Sequence, residues 1–156
     1  MKHMQKPVRN NHRSFRAFIG GLCVALTASP LMAEGFFPYM DPTAVQMGKD
    51  LYEENCASCH GANLEGEPNW RTPDPEGYLP APPHDATGHT WHHPDKLLFM
   101  ITKFGTEAMA GPNYKSRMAG FQDTLQDDEI IAILAYIKST WPKHIIARHD
   151  KMNASN

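Results

Sequence analysis

Cysteine is scarce in this chain, with three in 156 residues. So small a number rules out a domain stapled by several disulfides. Long apolar runs are missing as well. The leading one, from Ala17 to Ala28, is about a dozen residues, short of the roughly 20 that cross a bilayer as a helix. No stretch reads as a strong strand, and no internal repeat is present. No Ser/His/Asp set or pair of carboxylates stands out as a hydrolytic centre. Acidic residues are absent from the first 33 positions, where Lys2, Lys6, Arg9, Arg13 and Arg16 precede the apolar run. Pro30 breaks that run and Ala33 offers a small residue for cleavage. This order of basic, apolar and small segments predicts a secretory leader over 1–33. The mature protein is then periplasmic or otherwise exported, with no stable membrane insertion after cleavage. Losing the leader leaves ten basic residues against seventeen acidic ones, a formal charge of −7. That balance argues against nucleic acid and favours partners with basic surfaces.

What remains is a helical pattern around one short motif. Residues 34–42 read as a flexible lead-in. Asp41-Pro42 suits a helix N-cap and first position, and Ala44, Gly48, Leu51, Tyr52 and Asn55 recur at helical spacing. A helix is therefore predicted over 42–58, with Gly48 costly in its interior unless another element packs close there. A second helix is predicted over 94–104, capped by His93, with Leu97, Leu98, Ile101 and Phe104 on its apolar face. A third is predicted over 126–140, where Ile130, Ile133, Leu134 and Ile137 form the face and Pro142 stops it. Between the first two lies a long irregular stretch, 61–93, rich in proline and glycine. So long a loop in a small domain is normally functional. A large flat cofactor would supply the apolar surface the loop lacks.

Cys56-Ala57-Ser58-Cys59-His60 is the central signal. Two cysteines three apart lie about one helical turn from each other. Both sulfurs then reach neighbouring vinyl groups on one porphyrin edge, and the next histidine offers a nitrogen to iron. This is the pattern of c-type haem attachment. A thioredoxin-like pair would need an alternating strand–helix context, which is missing. A zinc site would need two further ligands, usually cysteine, and none follows the leader. A plain disulfide gives no reason for His60.

The run from Tyr52 through Cys56, Cys59 and His60 to Gly61 resembles class I monohaem cytochrome c. So do Met118-Ala119-Gly120-Phe121 and the stretches Leu125 to Ile130 and Ala135 to Ser139. The resemblance implies a mainly α fold, a small cytochrome c fold of three to five helices wrapped around one covalently bound haem, with long irregular loops. After the leader over 1–33 and the lead-in over 34–42, it places a cytochrome c domain over 43–142, with a tail over 143–156. Gly48, Tyr52 and Tyr136 would sit where the first and last helices cross. One haem c per chain would be attached at Cys56 and Cys59, with His60 as proximal iron ligand and Met118 as distal ligand. Met109 is the runner-up, because Ala119 stands where the family often has proline. Pro82 or Pro83 would supply a carbonyl to His60. Trp91, with Arg71 and Trp70, is a candidate for bonding the haem propionates. Met100 is read as packing.

The implied function is electron transfer, the haem cycling Fe(II)/Fe(III) under His/Met ligation. Its partners would be redox proteins, an electron donor and an acceptor, among them a membrane or copper oxidoreductase. Two alternatives stand beside it in that reading. One is a haem c subunit or electron-entry domain of a larger oxidoreductase; the other is a haem enzyme with an open sixth position. A third, separate reading takes His84, His89, His92 and His93 as a copper or zinc site.

Overall fold

The computed structural model describes residues 35–111 and 113–155, so the leader predicted over 1–33 lies outside the described residues. Six helical segments follow one another: α1 (Pro42–Asn55), α2 (Ala57–His60), α3 (Asp95–Phe104), α4 (Thr106–Ala110), α5 (Asp127–Ser139) and α6 (Lys143–Asn153). A 3₁₀ turn, Thr90–His92, precedes α3. Among the described residues the only sheet-like pairing is one isolated bridge, Gly105 to Ala119. The fold is helical, as expected, but two single-turn helices and α6 take the number beyond five.

α1 starts where the sequence says. Asp41 caps it by accepting from Thr43 N at 2.9 Å, with Pro42 in the first turn. The helix does not continue to residue 58. Cys56 turns to φ −122°, ends α1 and opens α2. α5 begins with Asp127, Asp128 and Glu129 at its positive end, and Glu129 reaches back to Gln126 N at 2.8 Å.

α1 and α5 pack against each other more extensively than any other pair of described helices. Gly48 makes this possible, because a side chain there would overlap the Ala132 carbonyl and sit 2.9 Å from Ile133 N. Tyr52 is fully buried beside the crossing, its ring 5.5 Å from that of Tyr136. Ile130, Ile133, Ala135 and Ile137 complete this core. Burying one such aliphatic side chain contributes roughly 1.5–3 kcal/mol.

Three expectations need correction. His93 does not cap α3; Pro94 occupies that position, and the His93 carbonyl accepts from His149 instead. The lead-in is not loose. Phe37 is buried, and the Phe36 and Phe37 amides both donate to the Asp95 carboxylate. The tail is the helix α6, which buries Ile145, His149 and Asp150. Asp150 is paired inside the fold: Lys138 Nζ of α5 meets its Oδ1 at 2.6 Å, and Tyr39 Oη donates to the other oxygen at 3.2 Å. Asn153 bonds both the amide and the carboxylate of Asp95. Lead-in, α3, α5 and α6 thus share one buried polar network.

Candidate functional site

The Cys56–His60 segment is a single helical turn, with Cys59 N and His60 N donating to the Cys56 carbonyl at 3.2 and 3.0 Å. Both thiols are free, Cys56 half-buried and Cys59 exposed. Burial pushes the Cys56 thiol up to about 11, with a smaller contribution from Cys59. A redox-active pair needs a thiol poised the other way, so this environment does not favour a thioredoxin-like role.

His60 ends the turn and is buried. Its Nδ1 lies 2.8 Å from the Pro82 carbonyl oxygen. A carbonyl only accepts, so Nδ1 carries the proton and Nε2 keeps its lone pair. Burial holds the ring's pKa below its ordinary value against the opposing pull of that hydrogen bond. The result is a neutral imidazole with a fixed tautomer, the form that ligates a metal.

The loop before Pro82 is built to present that carbonyl. Gly66 has φ +67° and backs directly onto the Ala81–Pro83 backbone, where a side chain would sit 2.6 Å from the Pro82 carbonyl carbon. Its amide donates to His60 O at 2.7 Å. Glu67 grips the same strand twice, its amide donating to Ala81 O and its carboxylate accepting from Ala81 N. Of the two prolines named from sequence, Pro82 faces His60. Pro83 turns its carbonyl toward Gly88 and Thr90. Tyr52 Oη donates to Gly61 O at 2.8 Å, tying the motif to the core.

Within the histidine-rich stretch His89 and His93 meet edge to face, ring centroids 5.4 Å apart, while the stacked rings lie on different partners. His84 stacks on His60 with ring centroids 3.9 Å apart, and its Nδ1 meets Thr90 Oγ1 at 2.8 Å. His89 stacks on Trp70, and His92 stacks on Trp91. Among the described residues no three His, Cys, Asp or Glu side chains converge to hold a metal ion. The Trp91 indole N–H donates to Ala86 O at 3.4 Å, and its ring lies under Arg148. Trp70 carries the Arg71 guanidinium 4.0 Å above it.

Met118 is half-buried in the segment after α4. Its carbonyl accepts from Thr106 N at 3.4 Å and its amide donates to Ser116 Oγ at 3.0 Å. Gly120 lets this segment lie against the end of α3, where a side chain would meet the Lys103 carbonyl at 2.6 Å. Met109 stands on α4 with 37 % of its surface exposed. Gly66, Glu67 and the stacking role of His84 were not read from sequence. Gly66 carried a weak signal as a glycine soon after the motif, His84 was legible only as one of the close-set histidines, and Glu67 carried no signal.

Two thiols on one turn and a buried neutral imidazole with an uncommitted Nε2 are the donor set that a thioether-linked haem requires, so the residues fit that group. The sequence model of the family described as Cytochrome c matches residues 45–141. A cytochrome bc1 complex cytochrome c subunit of Mycobacterium leprae is 43% identical over 131 residues, covering 83% of this chain and 38% of the relative. Cytochrome c6 of Tetradesmus obliquus is 32% identical over 93 residues, covering 58% of this chain and 84% of the relative. A nitrite reductase of Stutzerimonas stutzeri is 27% identical over 132 residues, covering 80% of this chain but only 21% of the relative. The chain thus spans well under half the length of the reductase and of the bc1 subunit. No solved structure matches. Motif, helical fold and these similarities agree that the chain belongs to the cytochrome c family and binds haem c covalently.

Proposed function

We propose that this haem c electron-transfer protein works in the periplasm or an equivalent exported space, with His60 and Met118 as the axial ligands. When bound, the haem supplies one-electron iron chemistry, and the chain supplies attachment, ligands and burial. Cys56 and Cys59 anchor the ring by thioether links. His60, locked by Pro82, would hold the iron through its Nε2. A second ligand from Met118 raises the potential and closes the iron to outside molecules. No proton transfer or nucleophile is required.

The observation that carries this reading is the His60 Nδ1 to Pro82 O bond of 2.8 Å, which orients the remaining nitrogen as a ligand. Met118 is favoured over Met109 because the residues after it tie its segment to the end of α3, Ala119 bridging Gly105 and Phe121 N donating to Thr102 O at 3.1 Å. Pro83 and Trp91 serve as packing around the loop, and the acidic surface steers basic redox partners. No described helix is long and apolar enough to cross a membrane.

The test is an optical spectrum of the matured ferric protein. Methionine–iron bonding gives a weak band toward the red end. Met118→Ala should abolish it and Met109→Ala should not; the opposite pattern overturns the assignment. A Cys56→Ser/Cys59→Ser variant should be colourless, with the mass of bare polypeptide.

A second reading is a subunit or electron-entry domain of a larger oxidoreductase. It is favoured by relatives named as a bc1 complex subunit and a nitrite reductase. Native purification from the source membrane separates the two: a lone small cytochrome supports the shuttle, a stable assembly the subunit.

A further inference from the structure

The proline-rich loop and the methionine segment are far apart in the chain but meet through Arg117 and Lys115. Arg117, adjacent to Met118, places Nη1 2.7 Å from Asp74 Oδ2 and Nη2 2.9 Å from Glu76 Oε2. Its guanidinium also lies 4.1 Å above the Tyr78 ring. The receiving turn is preorganised. Asp74 Oδ1 accepts from Glu76 N at 3.0 Å and Tyr78 N at 2.9 Å, leaving Oδ2 for the arginine. The Asp74 and Tyr78 backbones are also bonded, Asp74 N to Tyr78 O at 2.9 Å. Lys115 adds a second strap, Nζ donating to Glu76 O at 2.8 Å. On the other side, Ser116 N donates to Glu107 Oε1 at 2.8 Å. Residues 115–118 are therefore held between the 74–78 turn and α4.

We infer that Arg117 is a positioning residue for Met118, its paired bonds to Asp74 and Glu76 deciding how readily the methionine segment opens. The inference rests on Met118 being the sixth ligand. The physical reason is local. Among the described residues Met118's own hydrogen bonds run to Ser116 and to Thr106 at the start of α4, and its segment ends in exposed residues. A planar five-donor fork spans two carboxylates and an aromatic face at once, which a lysine ammonium does not. Each exposed pair alone contributes little, but two pairs and a ring sharing one cation form a network. Losing it should multiply the opening equilibrium by roughly 5- to 30-fold.

The measurement is imidazole binding to the ferric holoprotein, which competes with Met118 for iron. Arg117→Gln should bind imidazole roughly 5- to 30-fold more tightly, Glu76→Gln by a smaller factor, and Arg117→Lys should fall between wild type and Arg117→Gln. High salt should tighten imidazole binding to wild type and leave Arg117→Gln unmoved. The urea midpoint by far-ultraviolet circular dichroism should fall by no more than that fold-change corresponds to, because the same bonds are lost on unfolding. Unchanged imidazole affinity in Arg117→Gln and Glu76→Gln, or salt-insensitive binding by wild type, overturns the inference. Lys138→Met, which destabilises the fold elsewhere, should leave imidazole affinity at the wild-type value; an equal gain there also overturns the inference, because opening then follows global stability and not the arginine. Met118→Ala is the separate control. If it keeps the red band, the ligand assignment itself has failed.

Discussion

Substituting Gly48 by alanine sets two effects of opposite sign against each other. Alanine is about 1 kcal/mol better than glycine in a helix interior, so local propensity alone predicts a more stable protein. Packing predicts the reverse. The added methyl would overlap the Ala132 carbonyl and approach Ile133 N to 2.9 Å. Those atoms belong to the backbone of α5 and cannot rotate away, so the two helices must part. Overpacking of this kind costs about 1–3 kcal/mol, occasionally more. Parting also loosens Tyr52 and Ile133, which are 0% and 1% exposed. Losing a third of the burial of two such side chains adds about 1–2 kcal/mol. The net expectation is a loss of about 1–4 kcal/mol, or a Tm lower by roughly 10 °C at the middle of that range. Thermal unfolding of the ferric holoprotein, followed by circular dichroism, measures this directly. A Gly48→Ala protein that melts at or above wild type would show that helix propensity wins. The close crossing would then be no constraint on residue 48.

Lys138→Met should destabilise by about 3–5 kcal/mol in urea unfolding, because it strands the buried Asp150 carboxylate. Changing Asp150→Leu as well should recover most of the loss. Gly66→Ala forces a side chain onto a φ of +67° and into the Pro82 backbone. The His60 hydrogen bond should weaken, the ligand should become less electron-rich, and the reduction potential should rise; an unchanged potential would contradict this. His149 supplies a pH dependence. Its Nε2–H donates to His93 O at 2.9 Å, and its Nδ1 is 3.4 Å from the Asn153 amide nitrogen, an arrangement that suits the neutral ring. Burial, then Lys138, hold its pKa below 6.5, against the opposite pull of Asp95 and Asp150. The unfolded chain therefore takes up a proton that the native protein refuses. The stability is intact above pH 6.5 and is lost as pH falls toward the lowered native value, by at most about 1.4 kcal/mol per pH unit. His149→Gln should flatten that part of the acid limb.

Local chemistry was enough for part of this protein. The Asp41 cap, the apolar faces ending in α3 and α5, and the Cys56–His60 turn all follow from neighbours a few residues apart, whose spacing is written directly in the chain. The haem motif was readable for the same reason, since one helical turn carries all three of its groups. Gly48 showed as an anomaly in its own helix, and the α5 backbone against it supplied the explanation.

Tertiary structure decided the rest, and each case involves atoms far apart in sequence. α6 was hidden because two of its three buried groups are polar; Asp150 looks solvated until it is seen to pair with Lys138, and His149 until its ring is seen to donate to the His93 carbonyl. Choosing Pro82 over Pro83 depended on which carbonyl the Gly66 turn aims at a ring 22 residues away. The histidine stretch looked like one cluster, yet its rings stack on separate partners. Backbone periodicity records which face of an element is apolar. It does not record which polar groups will find one another once the chain has folded, because that pairing is set by contacts between elements and not by the order of residues within one.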